Sequence, residues 1–85
     1  NHSSCELLAW VKASDHRQDI LTTLQESPEN TTHFKDVWDV ATADVPRQYL
    51  KNLQGRGLVE CLTPERQRYR LYGLTEDGED LAEKL

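Results

Sequence analysis

The first residues in this sequence whose types and spacing could do chemistry are Arg47, Gln48 and Lys51. On a helix the i, i+4 spacing stacks Arg47 and Lys51 on one face, with Gln48 beside them. An arginine fork matches the O6 and N7 acceptors of guanine, a glutamine amide can pair with adenine, and a lysine ammonium suits a phosphate as a point charge. Arg66, Arg68 and Arg70 recur at every second position, a strand period that turns side chains to one face. Cations of this kind position a protein on a polyanion, while groups that reach base edges read it.

The rest of the chain has the opposite sign. Its 85 residues hold 10 Lys+Arg and 15 Asp+Glu, a formal net charge of −5. Segment 46–70 carries Arg47, Lys51, Arg56, Arg66, Arg68 and Arg70 against only Glu60 and Glu65, whereas both flanks are net acidic. The one basic stretch therefore contains both clusters, where an anion would have to be met. The alternating arginines also have a plainer reading, as a charged strand edge that discourages aggregation.

Periodicity supplies the elements that must hold these groups. Ser3 and Glu6 form a capping-box pattern before a helix with Leu7, Leu8 and Val11 on one face. Asp15 and Gln18 repeat the signal, and Ala13, Arg17, Ile20, Leu21 and Leu24 continue at helical spacing to about Gln25. Ser14 and Asp15 are poor interior helix residues, so this region is two helices or one bent helix from Ser4 to Glu26. After the turn cluster Ser27 to Asn30, Thr31 or Thr32 caps a helix with Phe34, Val37, Trp38 and Ala41 as its apolar stripe. Pro46 suits the first turn of the next helix, which turns Tyr49, Leu50 and Leu53 inward and stops at Gly55 or Gly57. Leu58 to Leu62 reads as a strand, Thr63 to Gln67 as a polar turn, and Arg68 to Tyr72 as the returning strand, with Gly73 able to introduce a bulge. Thr75 caps a final helix with an acidic first turn and Leu81, Ala82 and Leu85 inward.

The pattern predicts one α+β, mainly α, domain over 1–85: an N-terminal helix (1–13), a helical core (15–57), a two-stranded β-hairpin (58–73) and a C-terminal helix (75–85).

The stretch LKNLQGRGLVECLTPERQRYRLYGLTEDG, Leu50 to Gly78, resembles the winged helix-turn-helix transcriptional regulators of the MarR and ArsR type, and small archaeal members most. The Leu-x-x-Leu ending of the basic helix, GRGLVE leading into the hairpin and RYRLYGLTEDG leading out carry the likeness, which spans about residues 15–80. It implies a recognition helix from about Asp44 to Gly55 in the major groove, with Ala43, Asp44, Val45, Arg47, Gln48 and Lys51 at contact positions. Arg66, Arg68 and Arg70 would lie on a wing that meets the backbone or minor groove. It further implies a homodimer on double-stranded DNA, with half-sites about 34–36 Å apart and Leu7, Leu8, Trp10, Val11, Leu81 and Leu85 as dimer surface. Asp44 departs from the small polar residue usual there. A carboxylate near phosphates is unfavourable unless it caps the helix or accepts from cytosine N4.

Other functions find little purchase. A chain this short buries about 60–65% of its unfolded surface, too little for a substrate domain beside a cofactor domain. The scattered carboxylates, the missing nucleophile setting and the missing glycine-rich phosphate loop argue against an enzyme. No apolar run approaches the ~20 residues of a membrane span, no signal peptide is recognisable, and a start without methionine suggests a trimmed chain. Two cysteines, Cys5 and Cys61, suit a reducing cytoplasm rather than a disulfide scaffold, with Cys61 as a small buried hydrophobe. No cysteine or histidine lies between Phe34 and Val59, and His2, Cys5 and Cys61 lack zinc-like spacing, so neither a metal nor another cofactor is expected. No small-molecule ligand is identifiable. His16 and His33 read as solvated helix residues, Trp38 and Tyr49 as core rather than a ligand cage, and Trp10 as core or dimer contact. The competing class is a winged-helix module that docks a protein partner in a larger assembly; RNA is disfavoured because no aromatic pair on a sheet offers a stacking platform.

Overall fold

The computed structural model describes residues 4–85. The capping box expected at Ser3 falls outside them. Five helices and one antiparallel hairpin follow in the order α1 (Ser4–Lys12), α2 (Asp15–Glu26), α3 (Thr31–Trp38), α4 (Asp44–Gly55), β1 (Val59–Cys61), β2 (Tyr72–Leu74) and α5 (Glu76–Ala82).

Ser14 decides the question of one bent helix or two. It adopts an extended backbone and its Oγ accepts from the Arg17 N–H at 3.3 Å, so α2 is capped one residue earlier than expected and α1 ends separately. Asn30, not Thr31 or Thr32, caps α3, its Oδ1 accepting from the His33 N–H at 3.0 Å. That helix is shorter than the stripe predicted. Asp39 enters the left-handed region at φ 54° and closes the helix after Trp38, a conformation that a short polar side chain tolerates. Ala41 consequently lies outside the helix, and Val37 is 60% exposed. Only Phe34 of that stripe is fully buried.

The core is a single cluster built from Val11 of α1, Ile20, Leu21 and Leu24 of α2, Phe34 of α3, Leu50 and Leu53 of α4, and Leu58, Val59, Tyr72, Leu81 and Ala82 beyond them. Burial at this level contributes about 1.5–3 kcal/mol per large apolar side chain. It also corrects an expectation: Val11 and Leu81 are interior residues of this chain, 0% and 3% exposed, and offer no surface to a second copy.

The hairpin pairs Val59 with Leu74, Glu60 with Gly73 and Cys61 with Tyr72. Gly73 therefore sits in regular register and makes no bulge. The returning strand starts at Tyr72, four residues later than the alternation of Arg68 to Tyr72 suggests, and leaves 62–71 as the loop. A pairing invisible in the sequence holds its other edge: Tyr72 exchanges backbone hydrogen bonds with Glu29 at 2.9 and 3.2 Å, tying the turn between α2 and α3 to the hairpin.

At the end of α4, Gly57 takes φ +76°, and the Gly57 and Leu58 N–H groups bond back to the Gln54 and Leu53 carbonyls at 3.0 Å each. This is a Schellman stop with Leu53 and Leu58 both buried. Thr75 then seals the joint. Its N–H donates to the Leu58 carbonyl at 3.1 Å, its hydroxyl donates to the Gly57 carbonyl at 2.6 Å, and the same oxygen caps α5 by accepting from the Gly78 N–H at 3.0 Å. Gly78 lies so close that a Cβ there would fall 2.0 Å from the Leu58 carbonyl oxygen. Gly78→Ala should accordingly cost about 2–3 kcal/mol and lower the melting temperature by ~10 °C or more. Gly55→Ala, with open space around the site, should be neutral or stabilising by up to ~1 kcal/mol. Thermal unfolding followed by circular dichroism checks both; equal melting temperatures for the two variants would contradict the packing described.

Candidate nucleic-acid interface

Helix α4 is amphipathic in the sense expected. Leu50 and Leu53 are buried, Tyr49 is half-buried, and Arg47, Gln48, Lys51 and Gln54 are exposed. Pro46 is buried in its first turn, and Thr42 Oγ1 accepts from the Asp44 N–H at 3.3 Å. The helix is held from beneath by aromatic packing. Tyr49 meets Trp38 edge-on at 5.6 Å, His16 lies 4.0 Å from Trp38 and 5.1 Å from Tyr49, and Trp38 Nε1 donates to Asp19 Oδ2 at 2.6 Å. His16 is thus a half-buried packing residue rather than a solvated one. His33 is likewise half-buried, 3.8 Å from the Glu29 carboxylate and against Phe34.

The loop of the hairpin is braced by its own groups. Thr63 Oγ1 accepts from the Leu71 N–H at 3.0 Å, Leu62 N–H donates to the Leu71 carbonyl at 2.8 Å, and the Arg70 Nε–H donates to the Arg66 carbonyl. Tyr69, with φ 55°, interrupts any strand alternation. Arg68 and Arg70 therefore do not share the face of a pleated strand. They meet the helix by another route: Arg47 and Lys51 of α4 and Arg68, Tyr69 and Arg70 of the loop line one open cleft of about 550 Å³, with Thr31 and Thr32 of α3 at its side.

Of the residues expected at the site, Arg47, Lys51, Arg68 and Arg70 are thus brought together. Gln48 and Val45 are exposed on α4 but do not line the cleft, and Arg66 contributes its carbonyl to the loop. Arg56, the sixth cation of the basic stretch, goes elsewhere. Its guanidinium lies 4.4 Å from the Trp10 ring centroid, beside that of Arg17 at 4.1 Å, a cation–π arrangement that fastens α1 to the end of α4 and the start of α2. Trp10 is therefore neither plain core nor bare surface. Sequence reasoning missed Thr31, Thr32, Gln54, Gln67 and Tyr69 as cleft residues. The threonines have no signal in the sequence, while Tyr69 could have been noticed as an aromatic between two arginines.

Asp44 is the discordant charge. Its Oδ1 accepts from Arg47 Nη1 at 2.7 Å, both side chains being more than half exposed. An exposed pair of this kind is worth only ~0.2–1 kcal/mol, so a polyanion can compete for the arginine, but the carboxylate still subtracts a charge at the mouth of the cleft. Among the described residues no His, Cys, Asp or Glu trio forms a metal site, and no helix is long and apolar enough to cross a membrane. Cys61 is half-buried at the cleft edge and Cys5 is exposed.

Three helices with α4 presented outward, followed by a hairpin beside it, make this a winged helix. No protein-family model and no curated protein matches the sequence. Solved structures of ZitR from Lactococcus lactis match by fold. A single-site mutant of ZitR gives a TM-score of 0.70 at 21% identity over 84% of this chain and 49% of that chain. A double mutant in apo form gives 0.71 at 18% identity over 93% and 61%. The chain thus spans about half to three-fifths of the length of the ZitR chains it matches. The likeness shows a shared winged-helix fold and lends nothing to an archaeal affinity.

Asp44→Ala should release Arg47 and add one unit of positive charge beside the cleft. The variant should elute later from heparin, with a stability change below about 1 kcal/mol. Unchanged or earlier elution would show that the carboxylate does not oppose anion binding.

Proposed function

We propose that this chain binds double-stranded DNA sequence-specifically as part of a transcriptional regulator. In this reading α4 enters the major groove and the loop arginines meet the backbone or minor groove beside it. The observation that carries it is the convergence of Arg47, Lys51, Arg68 and Arg70 on one cleft of a chain whose net charge is −5. The major groove, about 12 Å wide, admits one α-helix. Gln48 and Val45, exposed on the N-terminal half of α4, are suited to base edges and to the thymine methyl. Arg66 and Arg68 are suited to phosphates. The likeness to ZitR supports the general class of regulator.

Two copies would read half-sites about 34–36 Å apart. With Val11 and Leu81 interior, the half-buried Leu7, Leu8, Trp10 and Leu85 are what remains of the expected dimer surface, and the homodimer is part of the proposal.

If each subunit neutralises about four phosphates, log affinity should fall against log salt with a slope near −3.6 per subunit. Arg68→Ala should weaken all duplexes alike and reduce that slope by about 0.9. Arg47→Ala and Gln48→Ala should instead relax base preference. The measurement is fluorescence anisotropy on a selected and a scrambled duplex across a salt series. No binding to any duplex at low salt would end this reading in favour of the protein-interaction module.

A further inference from the structure

Tyr69 is the feature of the cleft that electrostatics does not explain. It is the most exposed large apolar residue described, at 65%, and it holds φ 55°, a backbone region that bulky side chains rarely enter. Glycine or asparagine would occupy that position with less strain. The loop around it is nonetheless firmly tied, through Arg70 to the Arg66 carbonyl and through Leu71 to Thr63. Strain held by a braced loop, with an aromatic ring turned to solvent between two arginines, is the kind of outlier that accompanies a contact surface. The ring lines the same cleft as Arg47 and Lys51.

We infer that Tyr69 is a duplex-contacting residue of the wing, its phenol ring packing edge-first into the minor groove while Arg68 and Arg70 hold the flanking phosphates. This rests on the DNA reading above. A minor groove about 6 Å wide admits the edge of one aromatic ring. Its A·T floor shows only the adenine N3 and thymine O2 acceptors, which the phenol O–H can meet as donor, whereas a G·C pair places the guanine N2 amino group in the way. The contact is uncharged, so it adds affinity that salt does not remove, and it favours A·T pairs under the wing.

Three variants in the full chain test it, measured by anisotropy on duplexes that differ only in A·T or G·C pairs beside the half-site. Tyr69→Asn keeps the left-handed backbone accessible and removes the ring. It should lower affinity for the A·T-flanked duplex about tenfold, the scale of losing one base contact in a duplex, with the salt slope unchanged and the melting temperature equal or higher. Tyr69→Phe keeps the ring and should lose the A·T preference while retaining most of the affinity. Arg68→Ala, the charge control, should lower the slope and leave the A·T preference in place. Tyr69→Asn binding within twofold of the parent on both duplexes, or a slope that falls as it does for Arg68→Ala, overturns the inference while the DNA reading stands. If the parent chain binds no duplex, both fall together.

Discussion

The hairpin and α4 keep their mutual geometry through one backbone junction, the approach of Gly78 to the carbonyl of Leu58. The end of α4, the start of β1 and the first turn of α5 meet there without an intervening side chain. Thr75 uses its N–H and both functions of its hydroxyl to satisfy three backbone groups at the same point. Helix termini leave carbonyl and N–H groups without partners, and this joint satisfies those of two helices at once. The cleft between α4 and the loop inherits its shape from that arrangement, and from Tyr72, whose backbone is paired to Cys61 on one side and Glu29 on the other.

Charge is distributed by a second constraint, the competition for each arginine. Arg17 and Arg56 are drawn to Trp10, Arg47 to Asp44 and Arg70 to a carbonyl of its own loop. A basic segment is therefore not a basic surface. Of the six cations in that segment, Arg47, Lys51, Arg68 and Arg70 line the one cleft, while Arg56 and Arg66 do not.

Helix α4 is seated on aromatic contacts as well as on aliphatic packing. His16, Trp38 and Tyr49 come from three different helices and meet within about 6 Å of one another, with Asp19 satisfying the indole N–H. Buried indoles need such a partner. This cluster and the Phe34 core beside it fix the angle at which α4 leaves the body of the molecule.

Local chemistry was enough to read most of the elements. The 3.6-residue spacing of Ile20, Leu21 and Leu24 and of Leu50 and Leu53, the proline at 46, the glycine at 57 and the threonine at 75 each act within one turn of chain, so helices, stops and caps are legible from neighbours alone. The polar face of α4 was legible for the same reason. The extent of the hairpin was not, because alternation at Arg68 to Tyr72 resembles a strand until Thr63 Oγ1 takes the Leu71 N–H and Tyr69 turns to φ 55°. Nor were the partners of Arg56, Arg47 and His16, the inward packing of Val11 and Leu81, or the Glu29 to Tyr72 bridge. Apart from the Asp44–Arg47 pair, those join groups 22 to 46 residues apart or, for Leu81, helices more than 50 residues away, whose meeting is decided by loop closure and by packing of the whole core. The amino-acid order thus determined which surfaces could exist, and only the tertiary structure decided which charges stand free on them, because an ion's availability depends on every neighbour that folding brings within reach.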